Sequence, residues 1–259
     1  MGRCSVGNVL TIARKEFRTL FASPIAYIVT GFWALAFGWF FYVMLHFFLQ
    51  RSQGMPGMGP QTVNINQDMI RYVLTNSSVV ILFLLPAITM GTYAEEKRSG
   101  TIELLLTSPV TDLQIILGKF LGVLALYAAM LLVTVLYVAL LFWFGDPEWK
   151  PIVIGYLGLL LLGGVFLSVG LFISSLTKNQ IVAAVATFVT FLMLWVIDWM
   201  ATDSSGTTGT VLRYLSLTGH FDDFSKGVLD TKHLVYYLSF ISFGLFLTAK
   251  SVDTERWRG

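Results

Sequence analysis

The sequence predicts an all-α, polytopic membrane protein. It has six transmembrane helices, an interfacial helix before them, a short helix in a cytoplasmic loop, and short outer helices resting on or dipping into the far leaflet. Three observations carry this prediction. Of 259 residues, 56% are hydrophobic and only 12% charged, against roughly 25% charged in a soluble domain. Six runs, near 25–49, 70–92, 119–144, 152–175, 180–200 and 234–250, have the length and oiliness to span. None of them alternates residue by residue as a barrel strand would, and a lipid-exposed backbone that is not in a barrel must satisfy its own polar groups as a helix. The whole chain, 1–259, reads as one transmembrane domain.

The first element covers about residues 9–21, VLTIARKEFRTLF. Leu10, Ala13, Phe17, Leu20 and Phe21 share one helical face, with Arg14, Lys15 and Arg18 largely opposite. That pattern is an interfacial helix lying along a leaflet and leading into the first span. Pro24 falls where that span begins and its missing N–H costs little; Pro86 lies inside the second span and should kink it. The fourth span carries Gly164 and Ser168, then Gly170 and Ser174, at four-residue spacing. Small residues so spaced form a helix-packing seam in lipid.

Six spans put both ends on one side. That side collects Arg3, Arg14, Lys15, Arg18, Lys97, Arg98, Lys119, Lys178, Lys250, Arg256 and Arg258; the other holds Arg51, Arg71, Lys150, Arg213, Lys226 and Lys232. The bias is roughly two to one and predicts cytoplasmic termini. The outer connection from about 201 to 233 opens with ATDSSGTTGT and then shows Val211, Leu212 and Leu215, followed by Phe221, Phe224 and Val228, at helical intervals. Trp195 and Trp199 fit an aromatic belt, with Asp198 between them an interfacial carboxylate.

The cytoplasmic loop after the second span reads EEKRSGTIELLLTSP, residues 95–109. Gly100 and Pro109 punctuate it and confine a helix to about 101–107, because the residue before a proline is driven out of the α region. Two turns are marginal alone. Thr111 with Gln114 then makes a capping box that starts the next helix near 112. Ile102, Leu104, Leu105 and Leu106 cannot all face lipid from so short a helix. Some should enter a groove on another protein, with Glu95, Glu96, Lys97, Arg98 and Glu103 as a polar rim.

The run from Glu95 to Val110, set between spans two and three of six, resembles the coupling segment of permease subunits in ATP-binding-cassette transporters of the ABC-2 type. The late stretch Gly219-His220-Phe221-Asp222-Asp223-Phe224-Ser225-Lys226-Gly227-Val228-Leu229-Asp230-Thr231 is similar to permeases of bacterial gliding motility, of the GldF-like group. The resemblance implies a multi-pass subunit of the bacterial cytoplasmic membrane with no catalytic residues and no metal. It implies that Glu95, Glu96, Lys97, Arg98, Gly100, Thr101, Ile102, Glu103, Leu104, Leu105, Leu106, Thr107 and Pro109 meet a separate ATPase. Thr177, Lys178 and Asn179 would form a secondary cytoplasmic contact. Partners would be two ATPase copies carrying ATP and Mg, a second permease subunit that pairs with this one, and an extracytoplasmic auxiliary protein. The outer helices would be re-entrant.

Other classes fit less well. A net charge of +2 offers no basic face for nucleic acid, and Cys4, the single cysteine, excludes an internal disulfide. No phosphate loop is present, since Gly118-Lys119 is followed by Phe120 and Leu113 stands where the first glycine should be. An intramembrane glutamate protease would need arginine where Gly100 stands. A proton-driven carrier would show ionisable groups deep in its spans. His220, Asp222, Asp223 and Asp230 read as a solvated outer face, and His46 and His233 as interfacial.

Overall fold

The structure, a computed structural model, describes residues 6–53, 64–102, 110–203, 210 and 214–256; the side chains of 198, 199, 201–203, 255 and 256 are outside that description. Among the described residues it is all helix. The elements are α1 (Val6–Ala22), α2 (Pro24–Ser52), a π turn (Asn66–Ile70) running into α3 (Arg71–Thr89), α4 (Gly91–Ser99), α5 (Asp112–Phe144), α6 (Trp149–Leu176), α7 (Gln180–Asp203), α8 (Leu217–Ser225) and α9 (Thr231–Arg256). Six helical stretches are long and apolar enough to cross a membrane: α2, α3 continued by α4, α5, α6, α7 and α9.

Local chemistry sets the ends. Ser23 caps α2 by accepting from Ile25 N at 3.3 Å, with Pro24 at the first helical position. Thr111 and Gln114 form the expected capping box at the head of α5, through contacts of 3.4 and 3.1 Å. At 33 residues, α5 is on the order of 50 Å long, well beyond a hydrocarbon core of about 30 Å. Its first turns pack against α1 and carry Lys119, which reaches α4.

Helix α6 is the hub. Its buried residues include Gly155, Gly158, Gly163, Gly164, Ser168, Gly170 and Ser174, and α3, α5, α8 and α9 pack against it. A Cβ on Gly164 would meet Ile241 of α9 at 3.0 Å, and one on Gly170 would strike Thr89 of α3. Ser168 in turn sits 2.5 Å from where a Cβ on Gly244 would stand. The small-residue seam thus serves several neighbours at once. Buried hydrogen bonds also join helices: Trp33 Nε1 donates to Met130 O at 2.9 Å and Tyr127 OH to Leu159 O at 2.8 Å.

The second span breaks four residues after Pro86, at Met90, whose N–H donates to the Pro86 carbonyl at 3.0 Å. On the face opposite α4, α8 lies against α6, with Phe221 and Phe224 over Gly158.

Candidate functional site

The loop singled out above begins on α4. Restarting a helix at Gly91 leaves backbone groups without partners in their own helix. Ser174 of α6 supplies them. Its hydroxyl donates to Met90 O at 3.0 Å and accepts from Tyr93 N and Ala94 N, each at 3.2 Å. One donor and two acceptor lone pairs are all a serine hydroxyl has, and the break uses every one. Ser174, expected as a packing residue, is also the pin of this joint.

The next turn carries the charges. Glu95 and Arg98 are exposed, but Lys97 is 6% exposed and donates its Nζ to the Ser175 carbonyl of α6. Glu96 is turned inward as well. Its Oε1 lies 2.8 Å from Lys119 Nζ of α5 and 3.3 Å from Lys15 Nζ of α1. Lys119, 1% exposed, also reaches Glu16 Oε2 of α1 at 3.4 Å and donates to Thr92 O at 2.8 Å. Its ammonium stands 4.9 Å from the centre of the Tyr93 ring. A lysine this deep requires opposite charge close by, and two carboxylates from two helices provide it. The cluster therefore ties α1, α4 and α5 into one unit beside the break.

The geometry corrects two expectations. Glu96 and Lys97 do not belong to an outward polar rim, because each is held by a buried partner in this chain. Ile102, 7% exposed, packs in this chain's own core. Gly100 closes α4 at φ 73, a left-handed conformation that favours glycine, and Thr101 beyond it is exposed. Glu103, Leu104, Leu105, Leu106, Thr107 and Pro109 lie outside the described residues.

Helix α1 also differs in emphasis. Arg14 and Arg18 are exposed, Phe17 is half-buried against Phe21, and Leu10 is exposed. The side turned to α5 carries Ile12 and Glu16, over Gly118 and Gly122, where added Cβ atoms would each fall 2.6 Å from those side chains. Two glycines four apart let the helices approach this closely. From the sequence, Lys119 counts only toward orientation and Gly118 only toward excluding a phosphate loop, and Gly122 and Glu16 carry no expectation. The available signal was a lysine beginning an apolar run, flanked by a Gly-x-x-x-Gly pair.

Thr177, Lys178 and Asn179 join α6 to α7 on the same face. Asn179 Oδ1 accepts from Ile181 N at 2.9 Å and caps α7, Thr177 Oγ1 accepts from Asn179 N at 3.1 Å, and Lys178 is exposed. On the opposite face, His220 and His233 are buried, so His220 does not belong to a solvated surface. Asp222 pairs with Arg71 at 2.7 Å. Burial pushes the Asp222 carboxyl up, but hydrogen bonds from Lys226 and Arg71 outweigh it and hold the group below its ordinary value. Among the described residues no three His, Cys, Asp or Glu side chains converge so as to hold a metal ion.

What is assembled is a tied segment: leaving the second span, the chain is pinned to α6 through Ser174 and Ser175 and to α1 and α5 through Lys119. No curated protein matches the chain. A family model described as ABC-2 family transporter protein matches residues 10–248. Nearly the whole chain is matched, and it belongs to the ABC-2 family of transporter proteins, as a multi-pass permease.

Proposed function

We propose that this permease couples ATP binding and hydrolysis by two copies of a separate ATPase to export across, or force transmission through, a bacterial cytoplasmic membrane with both termini cytoplasmic. Family membership implies partnership with an ABC ATPase. The finer reading rests on one observation: the segment entering the 95–109 loop is gripped by α1, α5 and α6 together. A push delivered to that loop reaches three helices at once. Glu95, Arg98 and Thr101 remain exposed to receive a partner, with Leu104, Leu105 and Leu106 next in sequence.

In this reading ATP favours one arrangement of the ATPase, which favours one arrangement of the spans. The chain itself is non-catalytic, with ATP and Mg held by the partner. A second permease subunit completes the pathway, Thr177–Asn179 makes the lesser contact, and the likeness of residues 219–231 to gliding-motility permeases points to an extracytoplasmic partner. Replacing Leu104→Asp or Leu105→Asp should abolish ATPase association while leaving membrane insertion intact. Undiminished co-purification of the ATPase with both variants would refute the docking role.

A further inference from the structure

Two of the three histidines of this chain meet on the face opposite α4. His220 lies on α8 and His233 near the head of α9; they are 7% and 3% exposed. Their Nδ1 atoms are 2.5 Å apart. Both remaining ring nitrogens are engaged: His220 Nε2 lies 3.0 Å from the Tyr214 carbonyl oxygen, and His233 Nε2 lies 2.8 Å from Asp223 Oδ2.

The protons can be counted. A carbonyl only accepts, so His220 Nε2 carries a hydrogen; an ionised carboxylate only accepts, so His233 Nε2 carries one too. Two neutral imidazoles own two ring hydrogens, and both are now used. A hydrogen bond between the facing Nδ1 atoms needs a third proton, without which two lone pairs would confront each other at 2.5 Å. If Asp223 holds the extra proton and donates to His233 Nε2, the hydrogen of His233 moves to Nδ1 and the total is unchanged.

We infer that His220, His233 and Asp223 form a proton-binding site, in which one proton beyond the neutral rings and ionised carboxylate joins α8 to the head of α9. With that proton bound the triad is neutral overall, which suits the burial of its two rings; the Asp223 carboxylate is 38% exposed and its other oxygen lies 3.8 Å from Lys226 Nζ. Remove the proton and lone pairs oppose each other. Add a second to the rings and two N–H groups do. The clasp is therefore closed only within a window of pH, and the site does not depend on the transport reading.

Its surroundings support a single proton. Tyr236 lies with its ring centre 4.0 Å from that of His220, and Tyr214 and Tyr237 present edges at 5.9 and 6.5 Å. Lys232 on α9 is paired with Asp230 at 2.9 Å. Arg71, reaching over from α3, is taken by Asp222, which also pairs with Lys226. From α6 the contact comes through Gly158 against Phe221 and Phe224. Burial holds His220 below its ordinary value of 6.5, with His233 and Lys232 acting in the same direction against the Tyr214 carbonyl and Asp223. A proton beyond the shared one is therefore taken up by His220 only as pH falls through that lowered value, which sets the acid edge of the window; loss of the shared proton sets the alkaline edge.

The test uses the full chain in lipid bilayers, labelled with ¹⁵N-histidine. Near neutral pH we expect a through-hydrogen-bond coupling between the Nδ1 atoms of His220 and His233 and one strongly downfield ring proton, both lost in His220→Gln and retained in His46→Gln. On acidification the coupling should vanish, and amide exchange across residues 217–225 should accelerate about tenfold, as local opening does, while α6 is unchanged. Absence of the coupling, or two histidines titrating independently at their ordinary value, overturns the site. A coupling that disappears with no change in α8 exchange overturns the clasp. Should His220→Gln fail to fold, the titration of the unsubstituted protein decides alone.

Discussion

Replacing Lys119→Leu tests the joint most directly. The substitution keeps an apolar side chain in a site 1% exposed but removes a cation lying 2.8 Å from Glu96 and 3.4 Å from Glu16. Glu16, with its side chain 7% exposed, is left with Lys15 at 3.9 Å, and the Thr92 carbonyl loses its donor. Stranding a buried charge in this way costs about 3–5 kcal/mol. For a chain of this size each kcal/mol moves the melting temperature by about 2–4 °C, so a fall of about 6–20 °C is expected in a thermal-unfolding assay of the purified protein. The double variant Lys119→Leu with Glu16→Leu should recover at least half of that loss. It removes both ends of one pair and leaves Glu96 with Lys15 at 3.3 Å. A single variant that melts within about 2 °C of the parent, or a double variant no better than the single, would refute the reasoning.

Other outcomes follow from neighbouring contacts. Ser174→Ala removes the acceptor of Tyr93 N and Ala94 N and should cost about 1–3 kcal/mol, the penalty for unsatisfied buried groups; exchange at those two amides should rise with it. Gly122→Leu places a side chain where the Glu16 Cβ already lies 2.6 Å from the added Cβ. It should lift α1 from α5, detectable as faster proteolysis within residues 6–22. Asp222 is held below its ordinary value of 3.8, so the Arg71 contact is intact above that value and is lost only as pH falls through the lowered one. A melting curve against pH should show an acid shoulder there that Asp222→Asn removes.

Much of this molecule is legible without coordinates because its strongest constraints are local. Bilayer thickness sets the length of the spans, Thr111 and Gln114 cap α5 from three residues apart, and Gly100 closes α4 by its own backbone freedom. The breaking influence of Pro86 was also legible, although the interruption falls at Met90. The errors in the candidate site have a common origin. A run of four charges after an oily segment reads as one solvated surface, yet a helix turns by about 100° per residue and sent Glu96 and Lys97 inward while Glu95 and Arg98 stayed outside.

Read along the chain, the residues give the helical stretches, which of them are long enough to cross, and the heads of α2 and α5 through Pro24 and the Thr111–Gln114 box, while the expected ends near 92 and 250 fall short of Ser99 and Arg256. Which faces meet is settled only by packing. In a soluble helix an apolar stripe announces the buried side, but here lipid-facing and core-facing sides are both apolar, and the usual contrast is missing. The pairing of Lys119 with Glu16, 103 residues away, the anchoring of the α3–α4 break by Ser174, and the meeting of His220 with His233 all depend on that choice of faces. Close packing around glycines makes the choice, and their four-residue spacing marks a packed face without saying which helix it meets.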